Sequence, residues 1–367
     1  MSVAAPRFHT LPIAEIRRET PDAVAIRFDI PSDLSEAFSY TAGQYLTLRR
    51  TFGREELRRC YSLCHIPDAG GLWVGVREEP GGRFSGWLNR EAKPDDTVEL
   101  MTPDGRFTLT PDADGPSRNI LCVAAGSGIT PVLSILEALL LSEPQSTATL
   151  IYANRDTAHI MFRDAIQDLK DRYLSRFRPF HILSREPSDV ELLTGRLDAR
   201  KCKAFFCPSG AVPARTYDRA YLCGPEAMMD LVAAALTEHG LGASDIHREL
   251  FLNPDSARRL DADRPPPAAT PDGAQVTVIL DQRQRTFTFD PATESILDAA
   301  RALGADVPFA CKAGVCATCR AHLSEGEVTM ARNQALDADE LARGYILTCQ
   351  ARPETAKVVV DYDRRSG

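Results

Sequence analysis

Residues 310–319 read ACKAGVCATC, and a further cysteine, Cys349, lies in GYILTCQARP at 344–353. Cys311, Cys316, Cys319 and Cys349 are separated by four, two and twenty-nine residues. A tight loop with this spacing delivers three thiolates to a two-iron, two-sulfide cluster, and the distant cysteine supplies the fourth. The residues between are small: Ala310, Ala313, Gly314 and Ala317. Backbone N–H groups can therefore close on the sulfurs and tune them. Four cysteines can also hold structural zinc, but zinc ligands usually come as two close C-x2-C knuckles, and one half here is the lone Cys349. Around the loop, QVTVIL (275–280), RTFTF (285–289), SILDAARAL (295–303) and the run near ILTCQ (346–350) predict two strands, a helix and a late strand. That is an α+β unit of β-grasp type over 275–367, with Cys311, Cys316, Cys319 and Cys349 as its metal ligands.

Upstream, NPDSARRLDADRPPPAATPDGA (253–274) is rich in Pro, Asp and Arg without apolar periodicity, and reads as a linker. Residues 1–113 alternate short apolar runs with turn signals: AVAIRFDI, QYLTLRR, LWVGVRE, DTVELM and RFTLT. Short strands at that rhythm predict an antiparallel β-barrel. Residues 114–252 change character. NILCVAAG, ATLIYAN, FRPFHILS and RAYLCG alternate with helix-like PVLSILEALLL, FRDAIQDLKDRYL and EAMMDLVAAALTEHG, which predicts an α/β unit with a parallel sheet. The segment 195–225 carries Cys202 and Cys207, which this reading leaves unassigned beyond a surface connection.

The chain of 367 residues has 51 acidic and 43 basic residues, a net charge of -8 that argues against nucleic-acid binding. No apolar run suggests a membrane span, and the N-terminus lacks the pattern of a signal peptide. A cytoplasmic location is expected. In that setting the ten cysteines read as metal ligands or small buried hydrophobes rather than disulfides.

Two stretches of the first unit suit a flavin. In Arg59-Cys60-Tyr61-Ser62, an arginine can neutralise pyrophosphate, a tyrosine can stack on an isoalloxazine, and a serine hydroxyl can reach its reactive edge. Gly81-Gly82-Arg83-Phe84-Ser85 can cradle phosphate at a helix start. Each alone could be a hairpin turn or a helix cap; together, in this order, they favour flavin. In the second unit, Gly126-Ser127-Gly128-Ile129-Thr130-Pro131 follows a strand and opens a helix, a pyrophosphate cradle at a strand-to-helix switch. Arg155 follows the next strand, and Arg163 lies eight residues on. With no acid at the first position after the strand, they favour the 2′-phosphate of NADPH over NADH, although Arg163 could be a solvated helix residue. Cys223, at a strand end in CGP, could line the nicotinamide pocket or be an inert thiol, and Phe251 could cover the flavin or belong to the core. Ser62, Cys223 and Glu249 are the expected catalytic group.

On these motifs, together with the terminal ELF at 249–251, residues 1–252 resemble the ferredoxin–NADP reductase family, and residues 275–367 resemble plant-type ferredoxin. The stretches SREPSDVELLTGRLD, AYLCGPEAMM and VPFACKAGVCATCRAHLSEGEV are most similar to the reductase subunits of phenylacetyl-CoA epoxidase systems. The resemblance implies FAD, NADPH and delivery of electrons to a di-iron oxygenase in phenylacetate catabolism. It places Arg59, Tyr61 and Ser62 at the flavin, Gly82 and Ser85 at its phosphates, and Thr130 and Cys223 near the nicotinamide. Reductases of ketosteroid hydroxylases and of phthalate-dioxygenase type, the latter carrying FMN, share the domain order. A non-enzymatic redox sensor and a flavin reductase without a protein partner are readings from other classes.

Overall fold

The computed structural model describes residues 7–66, 70–251 and 270–364. Strands β1 (Phe8–Thr20), β2 (Ala23–Phe28), β3 (Tyr45–Phe52), β4 (Glu55–Ser62), β5 (Leu72–Arg77) and β6 (Thr97–Met101) form one antiparallel sheet in the order β4-β3-β6-β1-β2-β5. A bridge from Leu63 to Val74, just past β4, closes it into a barrel. Successive side chains of a strand face opposite ways, so Leu46, Leu48, Val74, Val76, Ile26 and Phe28 meet in one interior. Helix α1 (Arg83–Arg90) covers one end. Two elements differ from expectation. RFTLT is not a strand: Phe107 and Leu109 are buried, but their backbone runs as a loop, with the Leu109 N–H on the Ala42 carbonyl. Conversely, β1 spans 13 residues, and its charged outer positions mask the alternation.

The second unit is a parallel sheet ordered β11-β10-β7-β8-β9. Its strands are β7 (Asn119–Ala125), β8 (Thr147–Asn154), β9 (Phe177–Leu183), β10 (Arg219–Cys223) and β11 (Ile246–Glu249), and its helices α2 (Ile129–Ser142), α3 (Arg163–Arg172), α4 (Ala199–Phe206) and α5 (Glu226–Glu238). The chain runs outward from β7 to β9 and returns to β10, so the order reverses between β7 and β10. Ligands of open α/β sheets bind at such a switch, beyond the carboxyl ends of the strands. The 195–225 segment is more than a surface connection. It contains α4, capped by Asp198, and Cys202, Phe205 and Phe206 are buried in the core on that side of the sheet.

The barrel and this unit share a continuous core. Ala23, Ala25, Trp73 and Phe107 of the barrel side pack with Ile129, Val132, Tyr152 and Tyr221. The third unit has a core of its own. There β12 (Gln275–Leu280), β13 (Arg283–Thr288), β14 (Arg320–Glu325), β16 (Tyr345–Leu347) and β18 (Lys357–Asp361) form a mixed sheet ordered β13-β12-β18-β14-β16. The pair β12–β18 is parallel, β15 (Val328–Met330) pairs with β17 (Ala351–Pro353), and helices α6 (Ile296–Ala302) and α7 (Ala338–Ala342) complete the β-grasp. The expected linker, 253–274, lies outside the described residues up to 269.

Candidate functional site

The loop 311–319 bends through left-handed backbone at Lys312, Gly314 and Ala317, with Lys312 and Ala317 held there despite carrying a Cβ. The bend turns the Ala313 N–H onto Cys311 Sγ at 3.3 Å, the Thr318 hydroxyl onto Cys316 Sγ at 3.2 Å, and Gln350 Nε2 onto Cys349 Sγ at 3.5 Å. The thiols gather in two pairs, Cys311 with Cys316 and Cys319 with Cys349. Hydrogen bonding to Cys316, together with burial, pushes the Cys311 thiol up, and hydrogen bonding to Cys349 with burial does the same to Cys319. Crowded thiolates need a cationic partner. Among the described residues no three His, Cys, Asp or Glu side chains are placed to hold one ion. Two thiol pairs suit two irons better than one tetrahedral zinc.

At the switch point, the loop after β7 meets the end of β10. A side chain at Gly128 would collide with the Cys223 carbonyl and crowd its sulfur, so only glycine lets the two loops close. Cys223 is buried, which pushes its thiol well up, and Glu249 on the neighbouring strand adds to the shift. Across the cleft, the Ser62 hydroxyl donates to Glu249 Oε2 at 3.2 Å. Glu249 as a residue is half-buried, but its carboxyl lies deep enough for burial to raise it to about 8, with the Ser62 bond pulling the other way. Ser62, Cys223 and Glu249 thus converge from the two units. Thr130, two residues beyond Gly128, is buried, its hydroxyl on the Ser127 carbonyl at 3.0 Å, and Phe251 packs on the shared core.

The other residues singled out from sequence lie on the barrel and on the nucleotide unit. Gly81 and Gly82 form the turn into α1; Ser85 accepts the Glu79 N–H at 3.1 Å, and the Phe84 ring sits inside the barrel core, 6.2 Å from Tyr61. Arg59 is exposed, while Tyr61 is half-buried. Gly126 receives the Tyr152 hydroxyl on its carbonyl at 2.9 Å. Its Cα faces the Arg77 guanidinium so closely that a side chain there would collide with it. Sequence reading missed Arg77; its signal was an arginine ending the strand LWVGVR. Arg155 bonds Asp22 of the barrel at 2.6 Å, and Arg163 is exposed at the start of α3. Nearby, His181 Nδ1 is buried without a hydrogen-bond partner, and burial with the Arg163 charge lowers the ring's pKa. An orphaned buried ring nitrogen at this end of the sheet fits a polar ligand.

A second group missed from sequence joins the barrel to the third unit. Tyr45 donates its hydroxyl to the Cys316 carbonyl and lies 2.9 Å from Thr318 Oγ1. Arg58, 6% exposed, lies 3.8 Å from the Phe309 ring centroid and 3.8 Å from Asp306. Arg106 reaches Asp337 and Glu340.

Three family models match the chain in order: an oxidoreductase FAD-binding domain over 10–109, an oxidoreductase NAD-binding domain over 122–234, and a 2Fe-2S iron-sulfur cluster binding domain over 278–354. The chain is 44% identical over 358 residues, 98% of each chain, to a 1,2-phenylacetyl-CoA epoxidase component from Escherichia coli K12. It is 35% identical over 369 residues to the ferredoxin reductase component of 3-ketosteroid-9-alpha-monooxygenase from Mycobacterium tuberculosis, spanning 96% of this chain and 95% of that one. The solved structure of phthalate dioxygenase reductase, described as modular for electron transfer from pyridine nucleotides to a 2Fe-2S centre, is similar with a TM-score of 0.57 and 26% identity, over 96% of this chain and 98% of that one. No helix among the described residues is long and apolar enough to cross a membrane.

Proposed function

The chain belongs to the ferredoxin–NADP reductase family, in the branch with a C-terminal 2Fe–2S domain, and on that premise we propose that it carries electrons from NADPH to the di-iron oxygenase of a phenylacetyl-CoA epoxidase system. It is an NAD(P)H-dependent oxidoreductase that binds FAD and a 2Fe–2S cluster. The observation that carries the finer reading is the 44% identity along the full length to the epoxidase component. When bound, the flavin supplies the exchange between two-electron and one-electron chemistry, and the cluster supplies a one-electron carrier.

The chain's own residues divide the remaining work. Arg59, Tyr61 and Ser62 orient the flavin from β4, and Gly81, Gly82, Phe84 and Ser85 form its phosphate turn and the wall behind it. Gly126, Gly128 and Thr130 seat the nicotinamide nucleotide at the switch point, where Cys223 and Phe251 exclude water. Glu249, whose carboxyl burial raises to about 8, keeps a proton at neutral pH and accepts the Ser62 hydroxyl on Oε2 at 3.2 Å. Arg155 and Arg163 support NADPH over NADH by offering cations where a 2′-phosphate would lie. Cys311, Cys316, Cys319 and Cys349 hold the cluster. We take 253–274 as the tether of the third unit.

The test is reconstitution. The purified holoprotein is combined in turn with the oxygenase component of a phenylacetyl-CoA epoxidase and with that of a ketosteroid monooxygenase, with NADPH or NADH. Epoxide formation with the first alone, faster on NADPH, is expected. Turnover only with the ketosteroid oxygenase would overturn the partner, and faster turnover on NADH would overturn the donor.

A further inference from the structure

Tyr45 opens β3 directly opposite Ser62 of β4, so the two side chains leave one face of the sheet from Cα atoms roughly 4.5–5.5 Å apart. Ser62 reaches Glu249 in the nucleotide unit, and Tyr45 reaches the ferredoxin unit. There its hydroxyl donates to the Cys316 carbonyl and lies 2.9 Å from Thr318 Oγ1. The Thr318 O–H is directed at Cys316 Sγ at 3.2 Å, which leaves the Thr318 oxygen free to accept. One phenol thus grips both residues that flank Ala317, and Ala317 is held in left-handed backbone that a Cβ disfavours. Such a conformation persists only where its surroundings over-determine it. Tyr45 is itself locked on the barrel. Its N–H donates to the Asp104 carbonyl at 2.8 Å, its carbonyl accepts the Asp104 N–H at 3.0 Å, and a Cβ at Gly105 would come within 2.9 Å of its ring. At 5% exposed the residue is buried, yet it belongs to none of the hydrophobic cores of the described residues. The glycine turn lies against its ring, and the docked cluster loop meets its hydroxyl.

We propose that Tyr45 is a positioning residue for flavin-to-cluster electron transfer, holding the 316–318 turn of the ferredoxin unit against the barrel beside the flavin site. The inference rests on the cluster assignment above. A phenol keeps its proton at neutral pH and a peptide carbonyl only accepts, so the direction of the bond is fixed by the groups themselves. Its partners lie 271 positions apart on different units, so the bond exists only while the two are docked. Arg58 and Arg106 also cross this boundary, but they meet Phe309, Asp306, Asp337 and Glu340. Of the three side chains, Tyr45 alone reaches a residue assigned to the cluster. Electron transfer slows steeply as the gap between carriers widens, so the contact nearest the cluster sets the rate most directly. Nothing passes through the phenol: it keeps its proton, and the electron gained at the cluster is the one lost at the flavin.

The test uses the full-length holoprotein and its Tyr45→Phe variant, which keeps the ring over Gly105 and removes only the hydroxyl. Iron and labile sulfide are assayed first. Anaerobic stopped flow with NADPH then follows flavin reduction and cluster reduction separately, and hydrogen–deuterium exchange compares residues 311–319 with the barrel strands at 45–62. In Tyr45→Phe, flavin reduction and exchange at 45–62 should match the native protein. Cluster reduction should slow, and exchange at 311–319 should quicken, each by about two- to tenfold, the factor that one net hydrogen bond contributes. A native result in either cluster reduction or loop exchange would overturn the proposal. So would a change in flavin reduction or in exchange at 45–62, which would make Tyr45 a packing residue of the barrel. Loss of iron from the variant would overturn it too, because the phenol would then serve cluster assembly rather than docking. A wild-type protein without iron or sulfide after cluster rebuilding would instead refute the cluster assignment itself.

Discussion

The barrel meets its two neighbours in different ways. Toward the nucleotide unit it shares a hydrophobic core, with Trp73 and Phe107 continuous with Val132 and Tyr221, and a fixed hydroxyl–carboxyl pair at Ser62 and Glu249. Toward the ferredoxin unit no core is shared among the described residues. Arg58 on Phe309, Tyr45 on the Cys316 loop and Arg106 on Asp337 and Glu340 make the contact with long polar side chains that water can replace. Hydride transfer depends on sub-ångström placement of reacting atoms and favours a rigid, dry junction. Electron hopping asks only for proximity, and a carrier that must also serve an outside acceptor favours a junction that can be remade.

The largest effect should come from removing the carrier. Cys319→Ala deletes a buried thiol proposed as a cluster ligand, so oxygenase-coupled turnover should fall to background while NADPH–ferricyanide activity stays at the native rate. Equal loss of both in a folded protein would show that the two junctions are not separable. Next in size is Glu249→Gln, which touches only the rigid junction. If the proton at Glu249 is used, NADPH–ferricyanide turnover should drop by about 10²-fold, and the wild-type decline through pH of about 8 should flatten in the variant. Stability supplies an independent reading. The folded chain keeps a proton that an unfolded carboxyl releases near its ordinary 4.5, so this group's contribution is lost as pH rises from 4.5 through about 8. The melting temperature of Glu249→Gln relative to wild type should therefore increase across that window. A constant difference would place the carboxyl's pKa in the ordinary range.

Arg58→Ala probes the other junction. A desolvated cation over an aromatic ring contributes roughly 0.5–2 kcal/mol, so docking should weaken by a few-fold to about thirtyfold. Stopped-flow reduction of the cluster should slow accordingly, with flavin reduction by NADPH unchanged. Slowing of both steps would mean that the arginine supports the barrel rather than the contact.

The same contrast explains what could be read from the amino-acid sequence. Cluster ligands are close along the chain, so the 311–319 spacing announces them, and the strand-and-helix alternation of 119–240 follows from local periodicity. RFTLT misled because Phe107 and Leu109 alternate for a different reason, inserting between units instead of pairing in a sheet. β1 was missed because charged outer residues hid its pattern. Tyr45 and Arg58 carried no local signal, since their partners lie 271 and 251 positions away and the contact arises only from docking. Cys202 looked like an unassigned surface cysteine, yet α4 turns it inward with Phe205 and Phe206.

The smallest expected effect lies where the rigid junction reaches its rim. Arg155, proposed as the cation for a 2′-phosphate, is bonded to Asp22 at 2.6 Å, and although burial raises the Asp22 carboxyl, hydrogen bonds and charge from Thr20, Arg155 and His159 outweigh it and hold the carboxyl below its ordinary value. Asp22 and a phosphate would compete for the same guanidinium. Both side chains are partly exposed, at 40% and 30%, so the pair contributes no more than about 1 kcal/mol and its removal changes affinity by at most about fivefold. Asp22→Asn should lower the KM for NADPH by that factor, leave the KM for NADH unchanged and increase the salt dependence of NADPH binding. Arg155→Gln should raise the NADPH KM alone. If both variants moved the NADPH and NADH constants together, Arg155 would serve to tie the barrel to the nucleotide unit, and the preference for NADPH would have to come from Arg163 or another cation along the cleft.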